Sequence, residues 1–195
     1  MKLLDRYETE GVEINDPGLK DYIKLEGKLV PRSRGRKTDR FDKADVNILE
    51  RFVSVMCVPG HRGKKQKIQT NWATGKFNQN MKRFMKTLKI IREETGENPL
   101  QVLVRAIENS APRDEVTTVQ YGGARYPQAV DCSPMRRVNL AIRHLVHGGY
   151  DKSFQKKPKL YEALAEEILK ASENDKEANA ITKKEQLEKQ ADSAR

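Results

Sequence analysis

Apolar residues recur at spacings of three and four in successive segments of this chain, and proline or glycine separates one segment from the next. That period places the apolar residues on one face of a helix, so each segment predicts an amphipathic α-helix. Asn98-Pro99 and Ser133-Pro134 are typical helix starts, with a capping side chain before a proline. Gly96 predicts a helix end, and Gly148-Gly149 predicts another.

About six helices are expected, in a mainly α bundle. They begin near residues 44, 78, 98, 133, 158 and 182. The last start rests on the sequence Thr182-Lys183-Lys184-Glu185, which matches a capping box. The length of 195 residues suits one domain with appendages.

Residues 114–131 break the helical period. Their sequence is DEVTTVQYGGARYPQAVD, with strand-favouring residues on both sides of Gly122-Gly123. A glycine pair between two such runs predicts a two-stranded β-hairpin with its turn there. The hairpin has little apolar alternation, so we expect it to protrude from the helical body as an arm.

The positive charge is concentrated in one part of the chain. The whole chain carries 38 basic and 28 acidic residues, a net charge of +10, yet residues 51–92 hold 11 basic residues and no acidic one. Like charges at helical spacing repel each other, and a phosphate backbone would neutralise them. A polyanionic partner is therefore expected.

The segment 27–43 is basic, poor in apolar residues and interrupted by proline and glycine, which predicts an extended arm. We predict two parts: an N-terminal extension with this arm over residues 1–43, and a single helical RNA-binding domain over 44–195. The arm and the loop 60–76 are expected to order only on RNA.

No residue pattern in the sequence supports catalysis, a cofactor or a metal site. His144 and His147 lack a metal-binding companion and are expected to be exposed or to contact phosphate. Cys132 precedes a helix start, where a thiol can have a lowered pKa, but no base accompanies it. No apolar run is long enough to cross a membrane. We predict no enzyme, no cofactor, no membrane association and a cytoplasmic location.

The predicted RNA-binding residues are mainly basic, because guanidinium and ammonium groups bind phosphates. Tyr121 joins them because its ring lies on the hairpin, where it can stack on an unpaired base. The alternative, equally open from the sequence, is that the tyrosines Tyr121 and Tyr126 pair across the strands. The full set is Arg32, Arg34, Arg36, Lys37, Lys64, Lys65, Lys67, Lys76, Lys82, Arg83, Arg113, Tyr121, Arg125, Arg136, Arg137 and Arg143.

Three long runs resemble one family. They are TGENPLQVLVRAIENSAPR at 95–113, YGGARYPQAVDCSPMRRVNLAIRHL at 121–145 and the terminal KKEQLEKQADSAR, in that order. The chain resembles small-subunit ribosomal protein seven across nearly its whole length. The segment EINDPGLKDYI at 13–23 is similar to the archaeal and eukaryotic branch.

The resemblance implies a structural protein that binds the 3′ major domain of small-subunit (16S) ribosomal RNA and nucleates assembly of the subunit head. It further implies neighbouring head proteins as partners, messenger RNA and exit-site tRNA nearby, and no homo-oligomer. The family's Gly-Lys signature fits Gly75-Lys76 better than Gly63-Lys64, although Phe77 then stands where a basic residue is usual.

Two other functions fit the sequence less well. An RNA-modifying enzyme would need a cofactor pocket or a poised base, which the sequence does not offer. A helical DNA-binding regulator would use the basic helix after Ser133, but a hairpin and not a short helix precedes it.

Overall fold

The computed structural model describes residues 2–39, 41–62, 65–66 and 75–195. These ranges contain six α-helices: α1 Ile48–Met56, α2 Phe77–Thr95, α3 Pro99–Ser110, α4 Pro134–Ser153, α5 Leu160–Ser172 and α6 Asn179–Ser193. They also contain two antiparallel strand pairs. One joins β1 His61–Arg62 to β2 Lys65–Gln66, and the other joins β3 Asp114–Tyr121 to β4 Ala124–Asp131. The mainly α fold with a hairpin arm is confirmed.

The local helix signals around α3 act as expected. The Asn98 side chain accepts a hydrogen bond from the Leu100 N–H at 3.1 Å, and Pro99 occupies the first helical position. Gly96 has a φ of 69°, the left-handed conformation that ends α2 at little cost for glycine. These two short-range devices fix the sharp turn between α2 and α3.

The hydrophobic core forms around α3, which packs against α2, α4 and α5. Leu100, Leu103 and Ile107 of α3 are fully buried there. The Phe52 and Phe84 rings stack with centroids 4.7 Å apart and join α1 to α2. Burying each large apolar side chain contributes roughly 1.5–3 kcal/mol, so this shared core is the main stabilising feature of the body.

The N-terminal segment packs into the same core. Leu3 and Leu19 are fully buried. The Glu13 N–H donates to Gln101 Oε1 at 2.8 Å, and the Asn98 amide donates to the Glu8 carbonyl at 2.8 Å. The division of the chain at residue 43 stays a prediction, but the residues before it are part of the helical body.

The hairpin is the predicted one. All eight residues of β3 pair with β4, from Asp114 opposite Asp131 to Tyr121 opposite Ala124. Gly122 and Gly123 have φ values of 53° and 88°, the positive range a tight hairpin turn needs. The base of the ribbon packs against α6. Arg195, which follows the end of α6, pairs with Asp114 at 2.6 Å.

The expectation that Gly148-Gly149 ends a helix is wrong. Both glycines lie inside α4, which continues to Ser153. A Cβ on Gly149 would lie 3.0 Å from the Leu164 Cα, and a Cβ on Gly148 would overlap the Glu167 side chain. The glycines therefore serve the close contact between α4 and α5, which outweighs their low helix propensity.

The predicted start of the last helix is also wrong. α6 begins at Asn179, and Thr182 lies inside it with its hydroxyl bonded to the Ala178 carbonyl at 3.2 Å. The α6 terminus is instead satisfied by a distant side chain: the Ala180 N–H donates to Glu167 Oε1 at 3.0 Å. Since Glu167 belongs to α5 and is fully buried, no local pattern marks this start.

The starts of two further helices differ from the expectation. The segment Asp42–Asp45 forms a turn of 3₁₀-helix, and α1 begins only at Ile48, after Asn47 accepts a hydrogen bond from the Leu49 N–H at 3.0 Å. α5 begins at Leu160 and not at Pro158. No helix among the described residues has the length and apolarity to cross a membrane.

Candidate nucleic-acid interface

The residues that begin α2 form an open cleft together with the basic arm. The cleft has a volume of about 550 Å³, and three of the predicted RNA-binding residues, Arg32, Lys76 and Lys82, line it. Its other lining residues are Gly75, Phe77, Asn78 and Gln79. Among the described residues, no carboxylate lines this cleft. It therefore favours an anion of the size of a phosphate group with its neighbouring sugar.

Arg32 is held in place over the start of α2. Its guanidinium lies 4.9 Å from the centre of the Phe77 ring, a cation–π contact, and donates to Asn78 Oδ1 at 3.3 Å. Here the aromatic ring positions the charge that Arg32 supplies from the arm.

The helix terminus adds positive potential to the cleft. Lys76 is the N-cap of α2, and in the described part of the chain no side chain caps this end. The first N–H groups of a helix and its dipole attract anions. Lys76 and Lys82 stand beside this terminus, so its backbone and side chains act on the same ligand.

The basic arm is anchored by one carboxylate. Glu50, buried on α1, accepts hydrogen bonds from the Ser33 N–H at 2.7 Å and from the Ser33 hydroxyl at 2.7 Å. Arg34 and Arg36, on either side of Gly35, are exposed. Lys37 is exposed as well and lies 3.9 Å from Asp45. Glu50 thus holds the arm against the body, while the basic side chains of the arm are exposed. The sequence pattern did not reveal this role of Glu50.

The tip of the ribbon carries the aromatic and basic groups that the sequence predicts. Tyr121 is 80% exposed and Tyr126 is 59% exposed, and Arg125 between them is exposed too. Tyr126 pairs with Val119 and Tyr121 with Ala124, so the two tyrosines are not direct cross-strand partners. Their exposure leaves the rings accessible for stacking.

The α4 arginines lie in a different neighbourhood. Arg136 forms a two-pronged ion pair with Glu115 at 2.5 Å. Arg137 bonds to Asp16 at 2.8 Å and to the Pro112 carbonyl at 3.2 Å, and its side chain is largely buried. Arg143 is exposed. Arg136 and Arg137 therefore have partners within the protein, and their contact with RNA stays a prediction.

Other predicted residues are scattered or lie outside the described residues. Arg113 is exposed near the base of the ribbon, beside Asp114, Asp131 and Arg137. Arg83 is half-buried and donates to Asn80 at 3.1 Å. Lys64 and Lys67 lie outside the described residues, as do most of loop 60–76 and the side chain of Lys65.

One cation of the acid-free stretch does not belong to the surface. Arg51 is buried and donates to the Tyr22 carbonyl at 2.7 Å and to Asn139 at 3.0 Å. Burial lowers the pKa of its guanidinium to about 10. Arg51 therefore joins the N-terminal segment to α4, and the charge count alone overstates the basic surface.

The histidines and Cys132 differ from expectation. The pKa of His144 is lowered to about 4, mainly by burial and secondly by the positive charge that the adjacent His147 can carry. The pKa of His147 is also lowered to about 4, mainly by burial and secondly by the charge of Arg62. Both are half-buried and neutral near pH 7, so the expected exposed position is wrong. Burial also raises the pKa of Cys132 to about 11, opposite to the expected direction. The described residues contain no group that would hold a metal ion.

The α-helical body carries a projecting ribbon, a basic arm and a cleft whose described lining has no carboxylate. These features define a class of protein that contacts a polyanion. Comparison with known proteins identifies the family within that class: residues 19–195 match the profile of Ribosomal protein S7p/S5e, and the chain belongs to this family. It is 50% identical, over 196 aligned positions, to the Small ribosomal subunit protein uS7 of Nanoarchaeum equitans (strain Kin4-M). The alignment covers 100% of this chain and 99% of the relative.

Family membership confirms the resemblance seen in the sequence. The protein is a structural, non-enzymatic constituent of the ribosome and acts in translation. The alternative of an RNA-modifying enzyme is therefore wrong, and a DNA-binding regulator has no support from the comparison. The partners of such a constituent are ribosomal RNA and other ribosomal proteins.

Proposed function

We propose that this protein binds the 3′ major domain of 16S ribosomal RNA in the small subunit and nucleates assembly of the subunit head. The observation that carries the proposal is the cleft at the start of α2, where Arg32, Lys76 and Lys82 surround a helix terminus. Cations beside a helix N-terminus favour a phosphate over a carboxyl-rich protein surface. The name of the archaeal relative supports the small subunit as its location.

The ribbon has a separate role in this proposal. Its tip carries two exposed tyrosines beside Arg125, a combination that stacks on unpaired bases and grips the adjacent phosphate. A ribbon of eight-residue strands reaches roughly 25 Å from the body. We expect the body to hold the ribosomal RNA while the ribbon extends toward the exit-site tRNA and the messenger path.

The remaining expectations belong to the same proposal. Neighbouring proteins of the subunit head are the protein partners. The protein acts in the cytoplasm and does not form a homo-oligomer, and residues 44–195 form the RNA-binding domain. The remaining predicted residues, including Arg143 on α4 and Lys64 and Lys67 of the segment 60–76, add further phosphate contacts.

The test is competitive binding of the full-length protein to the 3′ major domain RNA, with unrelated folded RNA and duplex DNA as competitors. The affinity should depend steeply on salt, because each phosphate contact releases counterions. The variant Lys76→Gln/Lys82→Gln should lower the magnitude of the salt slope by about 1–2. The control variant Lys2→Gln/Lys20→Gln removes the same charge from the acidic N-terminal segment and should leave the slope nearly unchanged.

Two results would contradict the proposal. Equal affinity for all three nucleic acids would remove the claim of specificity for this RNA domain. Equal salt slopes for the cleft variant and its control would remove the cleft from the contact surface, even if the protein still binds RNA.

A further inference from the structure

A second basic cavity lies away from the cleft, where α2, the end of α4 and the start of α5 meet. Its volume is about 440 Å³, within the range of cavities that bind small ligands. Four cations line it: Arg83 and Lys86 from α2, and Lys156 and Lys159 from the segment that precedes α5. We call this cavity the α2–α5 pocket.

The charge of the α2–α5 pocket is of one sign. Of the residues described as lining it, none is acidic. The nearby Glu162 carboxylate is already bonded to the Lys159 backbone N–H at 2.9 Å, and Asp151 is bonded to Arg62 at 2.8 Å. Because these acids have other partners, the cations that converge on the pocket favour a negatively charged ligand.

The walls of the pocket are aromatic. Tyr161 has two ammonium groups near its ring, with Lys86 Nζ 5.2 Å and Lys159 Nζ 5.9 Å from the ring centre. Phe154 stacks on the buried Tyr150 with centroids 5.8 Å apart, so its ring is held at the pocket wall. A ligand that fills this space combines a flat ring with an anion, and a nucleotide has both parts.

The pocket is preformed. The Thr87 hydroxyl of α2 donates to the Tyr161 carbonyl at 3.0 Å, which fixes the start of α5 against α2. Gln155, which also lines the pocket, has a φ of 53°, a left-handed conformation that non-glycine residues rarely adopt. Such strain persists only where the surroundings impose it, and it is frequent at ligand sites.

We propose that the α2–α5 pocket receives one unstacked nucleotide of a bound RNA, with the base against Tyr161 and Phe154 and a phosphate between Lys86 and Lys159. This inference rests on the RNA binding proposed above and adds a second, base-recognising contact to the phosphate contacts of the cleft. A free nucleotide also combines a flat base with a phosphate. The experiments therefore distinguish a nucleotide of bound RNA from a free nucleotide.

The first measurement compares the affinity of two charge variants for the 3′ major domain RNA. Lys86→Gln/Lys159→Gln alters the pocket. Lys89→Gln/Lys157→Gln removes the same charge from the same helix and the same segment at positions that do not line it. The pocket variant should lower the magnitude of the salt slope by about 1–2 more than its control does. Thermal unfolding of each variant verifies that the fold is intact.

The second measurement addresses the base. Tyr161→Leu keeps an apolar side chain but removes the ring, and it should weaken RNA binding roughly 5- to 100-fold. Photo-crosslinking of the wild-type complex, followed by peptide mass spectrometry, should attach a nucleotide to Tyr161 or Phe154. Titration with adenosine or uridine monophosphate alone should leave the NMR signals of these rings unchanged at micromolar concentration.

Each outcome separates the two proposals. If the wild-type protein shows no preference for the ribosomal RNA, the proposed function fails and this inference fails with it. If RNA binds normally but both pocket variants bind as the control does, only this inference is overturned. Ring signals that shift with micromolar monophosphate but not with RNA would make the pocket a free-nucleotide site, which also overturns it.

Discussion

The replacement Gly148→Ala tests why α4 carries two glycines in its interior. Alanine is favoured over glycine inside a helix by about 1 kcal/mol, so local propensity alone predicts stabilisation. The new Cβ, however, would overlap the Glu167 carboxylate, which is fully buried. Glu167 Oε1 accepts the Ala180 N–H at 3.0 Å, and Lys152 Nζ lies 3.0 Å from Oε2 without hydrogen-bond geometry.

The size of the effect follows from these two opposing contributions. Displacing the carboxylate loses a hydrogen bond to a charged acceptor, which contributes about 1.5–3 kcal/mol, and weakens the contact with Lys152. After the gain in helix propensity is subtracted, we expect Gly148→Ala to lower the free energy of unfolding by roughly 1–2 kcal/mol. The alternative, a net gain in stability, would follow if the carboxylate had free space to move.

A double-mutant cycle isolates the cause. In a Glu167→Ala background the overlapping carboxylate is gone, so Gly148→Ala should become neutral or stabilising by up to about 1 kcal/mol. Urea unfolding of the four proteins, followed by circular dichroism, measures the coupling, which we expect to be about 1–3 kcal/mol. Equal costs of Gly148→Ala in both backgrounds would refute the proposed overlap with Glu167.

Three further predictions concern caps, rings and protons. Asn98→Ala removes the cap that accepts the Leu100 N–H and should lower the free energy of unfolding by about 1 kcal/mol, as urea titration would measure. Tyr121→Ala should change that free energy by less than about 0.5 kcal/mol, because the ring is exposed, yet weaken RNA binding roughly 5-fold or more in a filter assay. Since the pKa of His144 is about 4 when folded and near 6.5 when unfolded, stability should fall as the pH drops from about 6.5 to 4. The loss should reach about 2 kcal/mol at pH 5, and His144→Gln should reduce the pH dependence of the melting temperature; an unchanged dependence would contradict this assignment.

Features set by neighbouring residues in the chain could be predicted from the sequence. The cap at Asn98, the helix end at Gly96 and the turn at Gly122-Gly123 each depend on a few consecutive residues, and each was predicted at the right place. The two-residue turn at Gly122-Gly123 also determines the observed strand register, because the turn length fixes which residues pair.

Features set by distant residues could not be predicted. Gly148-Gly149 has the local pattern of a helix end, but its position inside α4 depends on Leu164 and Glu167 of another helix. The α6 start depends on the same Glu167. Local signals compete with tertiary packing, and packing decides when the two disagree.

In the candidate interface, too, only the features that depend on the local sequence could be predicted. The exposed cations of the arm and the start of α2 were predicted as RNA-binding residues from charge alone. Charge could not reveal that Arg51 is buried or that Arg137 bonds to Asp16. The partner of each arginine, Tyr22 for Arg51 and Asp16 for Arg137, lies far away in the chain. The α2–α5 pocket was missed for the same reason, although the run FQKKPKLY at 154–161 combines aromatic and basic residues.

The attachment of the N-terminal segment has a consequence for how the chain is made. Asp16 is bonded to Arg137 and to Glu108, and Glu8 to Asn98, all at least 90 residues further along. At synthesis rates of about 5–20 residues per second, residues 8–16 wait roughly 5–25 seconds before these partners are translated. During that interval Leu3 and Leu19 have no core to enter. The early part of the nascent chain is therefore the part that must be kept from aggregating until its second half exists.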